Sequence, residues 1–263
     1  MRIGASTGCF YPELTEKSLT NLGELGVKTA EVFTNSFGEI SPAFVKQLND
    51  IKNSYGMEII SFHPFMSFAE GFFLFSEHER RYEESLDMYK PFFEAAANMG
   101  AKYYVLHGAK KGCPISREMY IHRYSKFCET AKQYGVQVAH ENVVYYESES
   151  VEFMKSLQRS LGDDFKMVLD LKQARRADVD PFDFISAVGE NIAHVHVSDC
   201  TAESLCAPIN ENGLFDFTRL FNELEQKGYG GKFIVELYSQ SYTDKIQIAQ
   251  SIAHLDVILN GLK

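Results

Sequence analysis

Glu31, His63, His107, Glu141, Asp170, His196 and Glu236 each stand at or near the C-terminal end of a short, largely apolar run. An ionisable group in such a place is costly to bury unless it is paired or binds something. Any one of the seven has an ordinary explanation as a buried side chain satisfied by its neighbours. Seven at corresponding places point instead to a fold that gathers the run ends into one volume. Glu141, Asp170, His196 and Glu236 would supply three carboxylates and one imidazole. That hard, oxygen-rich set suits one divalent cation of the Mn²⁺, Mg²⁺ or Co²⁺ kind better than a closed structural zinc site, with Zn²⁺ still compatible. It also leaves positions open for two substrate oxygens. His63 and His107 would stand across the cavity, either holding substrate hydroxyls or supplying a second metal.

The runs themselves span 2–6, 27–33, 57–63, 102–107, 136–141, 166–171, 192–197 and 232–237. Most are near-continuously apolar, the pattern of parallel strands buried on both faces. Stretches with apolar residues at helical spacing follow them at 15–25, 41–54, 77–98, 116–134, 150–161, 181–188, 216–226 and 243–259. Ser41-Pro42 reads as a helix cap followed by proline in the first turn, and Gly56 and Gly100 stand where helices should stop. Eight strand–helix units predict a (β/α)₈ TIM barrel, a single domain over 1–263, with a doubly wound open sheet as the alternative. The C-terminal strand ends of such a barrel form its active face. By side-chain parity, His194 lies one layer below His196 and His140 points away from the site.

Composition narrows the class. The net charge of −10 argues against a broad grip on nucleic acid, and no apolar stretch is long enough for a membrane span. The N-terminal residues turn polar too soon for a secretory signal. Five scattered cysteines without a Cys-x-x-Cys pair fit a reducing, cytoplasmic setting.

With these features in place, the chain resembles the xylose isomerase-like barrel superfamily of sugar isomerases and epimerases, whose relatives include inosose dehydratases and the endonuclease IV group. The resemblance rests on Ser6-Thr7-Gly8, His63-Pro64, His107-Gly108, Glu141-Asn142, Asp170 after Val168-Leu169, His194-Val195-His196-Val197-Ser198-Asp199, and Gly228-Tyr229-Gly230-Gly231 ahead of Glu236. It implies that Glu141, Asp170, His196 and Glu236 bind one divalent cation, and that Glu141 and Glu236 shuttle the substrate proton through a metal-stabilised enediolate.

Two departures matter. Gln173 stands where the family often has His, three residues after Asp170, and can hydrogen-bond a sugar hydroxyl. The loop Pro208-Ile209-Asn210-Glu211-Asn212-Gly213 carries asparagines in place of glycines and lacks an Asp-x-His pair. A trinuclear nuclease site is therefore not expected. Lys110-Lys111 and Arg175-Arg176 follow the fourth and sixth strands, and Arg176 is the candidate to hold a substrate phosphate or carboxylate. The six phenylalanines of 62–75 suggest a lid or a homo-oligomer contact, with packing on the barrel rim as the alternative. Gly4-Ala5-Ser6-Thr7-Gly8 matches a nucleophile-elbow spelling but ends the first strand, the wrong context for that elbow.

The function expected is a metal-dependent isomerase or epimerase acting on a small carbohydrate. Its rivals are a dehydratase on the same site, an endonuclease IV-like phosphodiesterase, and a sugar-binding barrel without turnover.

Overall fold

The computed structural model describes residues 2–262. Eight parallel strands close into a barrel in sequence order. They are β1 (Arg2–Ser6), β2 (Thr29–Phe33), β3 (Glu58–His63), β4 (Tyr103–Leu106), β5 (Gln137–Glu141), β6 (Lys166–Asp170), β7 (Ile192–Val197) and β8 (Lys232–Val235). Closure runs through β1 and β8, with Arg2 opposite Lys232 and Ala5 opposite Val235. Closing the sheet removes the exposed edges that an open parallel sheet must cover. Among the described residues no helix is long and apolar enough to cross a membrane.

Helices follow the strands as their cap chemistry dictates. Ser41 accepts from the Phe44 N–H ahead of Pro42, opening the helix Pro42–Tyr55. Gly56 and Gly100 end their helices at φ of 60° and 83°, a left-handed turn that a side chain would strain. The main core lies between strands and helices: Tyr104 of β4 meets Phe93 at 5.1 Å and Phe127 at 5.8 Å, and Phe233 of β8 meets Phe221 at 4.8 Å.

Four details differ from the sequence expectation. β4 stops at Leu106, so His107 lies in the following loop, where its N–H and that of Gly108 donate to the Glu70 carboxylate at 2.9 and 2.6 Å. The strand expected to end at 171 stops at Asp170, whose side chain caps an unforeseen helix, Leu171–Arg176. His78 is not inside the helix after β3 but caps it, accepting from the Arg81 N–H. The phenylalanine-rich segment is not one open aromatic face: Phe62 and Phe75 are fully buried, Phe75 stacks on Tyr120, and only Phe68 and Phe72 stay largely exposed. Phe65 and Phe73 are half-buried against the core.

Candidate metal centre

The last residues of β5 and β6, the penultimate residue of β7 and the residue after β8 bring four side chains together. Glu141 and Asp170 close their strands, His196 sits one residue before the end of β7, and the Glu236 N–H extends the ladder by donating to the Val197 carbonyl at 3.0 Å. One ligand atom from each lies within 4.8 Å of all the others. His196 Nδ1 stands 3.5 Å from Glu141 Oε1, 3.7 Å from Asp170 Oδ2 and 3.5 Å from Glu236 Oε2. The four groups expected to bind a cation therefore converge.

The donor atoms fit one. His196 Nδ1 is buried without a hydrogen-bond partner, and the buried Glu141 Oε2 and Asp170 Oδ2 are met at closest by the charge-pair contacts of His107 Nε2 at 2.9 Å and Lys172 Nζ at 3.2 Å. An orphaned buried nitrogen among three clustered carboxylates is costly unless something satisfies it, and a dication would do so. The remaining atoms are held elsewhere. Asp170 Oδ1 accepts from the Gln173 N–H at 2.8 Å, which starts the short helix, and the Asn142 side chain ties β5 to the Asp170 backbone at 2.7 and 2.9 Å.

A second group shares Glu141. His63 Nε2 and His107 Nε2 lie 3.0 Å apart, and both face Glu141 Oε2, at 3.5 and 2.9 Å. His63 is buried and His107 partly exposed, so His107 is the more accessible of the two. Burial alone would raise the Glu141 carboxyl; the surrounding His107, His196 and His63 rings outweigh it and hold it well below the usual carboxylate range. Burial likewise disfavours a charged His196, yet Glu31, Glu236, Asp170 and Glu141 push its pKa well above the usual value.

Lys172 is the residue that the sequence did not disclose. Its ammonium is buried 2.6 Å from Glu236 Oε2 and 3.2 Å from Asp170 Oδ2, with the Tyr238 ring 4.9 Å away. Burial opposes its charge, but Asp170 and Glu236 overcome that and raise it well above the ordinary lysine value. Glu236 moves the other way from Glu141: burial raises its pKa and Lys172 and His196 only partly offset the rise. Burial and neighbouring charge thus shift the two carboxyls in opposite directions. A cavity of about 600 Å³ opens over Lys172 and Glu236, walled by Gly8, Phe33, Phe65, Leu237 and Tyr238.

The outer residues divide. Arg176 Nη1 donates to the Tyr238 hydroxyl at 2.8 Å, beside Lys172 in a shallow groove of the rim. Gln173 is not brought to the cavity wall; its side-chain carbonyl accepts from the Val144 N–H at 3.4 Å. Arg175 is spent on the loop after β7, donating to the Ser198, Asp199 and Leu205 carbonyls, and Lys111 pairs with Glu149. His140 points away from the site, as its parity predicts, and its Nε2 lies 2.9 Å from the Tyr120 hydroxyl. Ser6 is buried and accepts from the Gly8 N–H, a turn-capping role with no nucleophile geometry.

Known proteins share this arrangement of elements. A fructoselysine 3-epimerase of Escherichia coli O157:H7 is 25% identical over 252 residues, covering 90% of each chain. A solved D-tagatose 3-epimerase-like protein superposes with a TM-score of 0.81 at 19% identity, over 100% of this chain and 99% of the other. An L-ribulose 3-epimerase does so with a TM-score of 0.80 at 16% identity, over 99% and 95%. The family model described as a xylose isomerase-like TIM barrel matches residues 19–258, and the chain belongs to that family.

Proposed function

We propose that this protein is a divalent-metal-dependent epimerase of a small ketose or related carbohydrate, working by proton removal and return next to a carbonyl. The observation that carries the proposal is the convergence of two glutamates, Glu141 Oε1 and Glu236 Oε2, on His196 Nδ1, at 3.5 Å each. A binding protein needs hydrogen bonds to a sugar but not two flanking bases. The fructoselysine, D-tagatose and L-ribulose epimerases among its relatives support the same reading.

Glu141, Asp170, His196 and Glu236 would hold the cation. When bound, it supplies a Lewis acid that lowers the cost of negative charge on neighbouring substrate oxygens. One glutamate removes the proton from carbon on its face, and the other returns one on the opposite face, inverting the centre. His107 offers Nε2 to a substrate hydroxyl, with His63 behind it. Lys172 holds Glu236 in place from the cavity side. Arg176, at the rim, receives an acidic substituent of the substrate where one is present. Gln173, turned toward the loop after β5, braces that loop through the Val144 N–H rather than holding a sugar hydroxyl.

The test is solvent exchange. A ketose substrate incubated in D₂O with Mn²⁺ gains deuterium at the inverted carbon. Glu236→Gln retains size and one oxygen ligand but loses the base, so turnover falls by roughly 10²–10⁴ while metal affinity falls modestly. Epimerisation with full retention of substrate hydrogen, at equal rate in the variant, refutes the proposal.

A further inference from the structure

The imidazole of His196 has two nitrogens, and only Nδ1 faces the three carboxylates. Its Nε2 points down into the barrel, 3.0 Å from Glu31 Oε2. The same oxygen lies 3.2 Å from His194 Nε2 and accepts from the Ser61 hydroxyl at 2.8 Å. Glu31, Ser61, His194 and His196 are all 0–1% exposed. A break in the β2–β3 register falls between Ala30 and Glu31, where the carboxylate enters this layer.

We infer that Glu31 is a positioning residue for the metal centre, fixing the ring orientation and tautomer of His196 so that its Nδ1 lone pair is the one presented to the cation. The inference rests on the metal reading above. An ionised carboxylate can only accept, so the nitrogen facing it carries the hydrogen. On a neutral ring that leaves the lone pair at Nδ1, between Glu141, Asp170 and Glu236. A carboxylate behind a ligating histidine also raises the basicity of the ring. His194 and Ser61 complete the device: each directs a donor to Glu31 Oε2, so the carboxylate cannot swing away from His196.

Glu31, His194 and His196 also have the composition of a small metal group of their own. The geometry favours the hydrogen-bonded alternative. The two Nε2 atoms are only 3.1 Å apart and meet the same carboxylate oxygen at hydrogen-bond distances, with no cavity opening among them.

The experiment titrates chelator-stripped protein with Co²⁺, following the visible absorption of the bound ion, in wild type, Glu31→Gln and Glu31→Leu. Circular dichroism and thermal unfolding without metal check the fold. Glu31→Gln keeps one acceptor oxygen and should bind about 10-fold more weakly; Glu31→Leu keeps none and should bind about 100-fold more weakly, at unchanged stoichiometry. Should the leucine variant not fold, the near-isosteric glutamine variant decides alone. Wild-type affinity in the folded variants overturns the inference and leaves the metal reading intact. Loss of a separate metal equivalent, with the first unaffected, also overturns it, because Glu31 would then be a ligand. No Co²⁺ binding by wild type instead overturns the metal reading on which the inference stands.

Discussion

Replacing Lys172 by Met should destabilise the metal-free protein far more than the metal-loaded one. Lys172 is 4% exposed and joins Asp170 at 1% and Glu236 at 15% exposure. Removing one partner of a buried pair leaves the others uncompensated, at about 3–5 kcal/mol. The partial exposure of Glu236 favours the lower end. About 3 kcal/mol corresponds to a fall of roughly 6–12 °C in Tm for a chain of this size. A bound dication gives the same carboxylates another positive partner, so excess Mn²⁺ should recover most of that loss. Wild type should gain less, because Lys172 already serves Asp170 and Glu236. Thermal unfolding of both proteins in chelator and in Mn²⁺ measures all four values. A metal-free variant melting within about 2 °C of wild type would refute the argument. An equal rise on adding Mn²⁺ to both would show that the lysine and the cation do not serve the same charges.

Further outcomes follow from the same geometry. Asp170→Asn should keep the helix cap, since asparagine accepts the Gln173 N–H as aspartate does, yet lose most metal binding in a Mn²⁺ titration; equal loss of stability and metal would deny the division of roles. His140→Gln tests pH dependence. Burial lowers the His140 pKa from 6.5 to about 3, so below pH 6.5 the unfolded chain takes up a proton that the native chain refuses, and stability is lost as pH falls. Between pH 7 and 5 that amounts to about 2 kcal/mol, and urea unfolding of metal-free protein should show the variant losing correspondingly less.

The barrel was legible because its strands are buried on both faces and so read as apolar runs, punctuated by caps such as Ser41-Pro42 and stops such as Gly56. The convergence of Glu141, Asp170, His196 and Glu236 was legible because strand ends mark the active face. The helix Leu171–Arg176 was not, since six residues are too few for helical periodicity and its first residue continues the apolar run of β6. Lys172 was hidden for a related reason: lysine is an ordinary surface residue, and only the helix turned by Asp170 carries it inward. The contacts of Glu31 were beyond sequence reading because His194 and His196 lie 163 and 165 residues away. The phenylalanines of 62–75 left lid or contact and rim packing both open, since composition does not show that Phe65 meets Phe37 and Phe92 or that Phe75 stacks on Tyr120.

A common arrangement underlies three of these cases. Asp170 anchors itself through Oδ1, by capping a helix, and faces the site with Oδ2. His196 is held through Nε2 by Glu31 and faces the site with Nδ1. Glu141 meets the two histidines of the far wall with Oε2 and His196 with Oε1. Each side chain is fixed by one polar atom and offers the other, so rotating any of them toward solvent breaks a buried contact on the opposite side. That is how supporting contacts keep a constellation close to working geometry. Glu236 lacks such a backbone or strand anchor: its carboxylate is the most exposed of the four and its close partner is the Lys172 ammonium. On the mechanism proposed above Glu236 takes up and releases a proton, a task better served by an adjustable ion pair than by a rigid cap. The asymmetry between a braced Glu141 and a lysine-held Glu236 therefore matches the different basicities that burial and neighbouring charge give them.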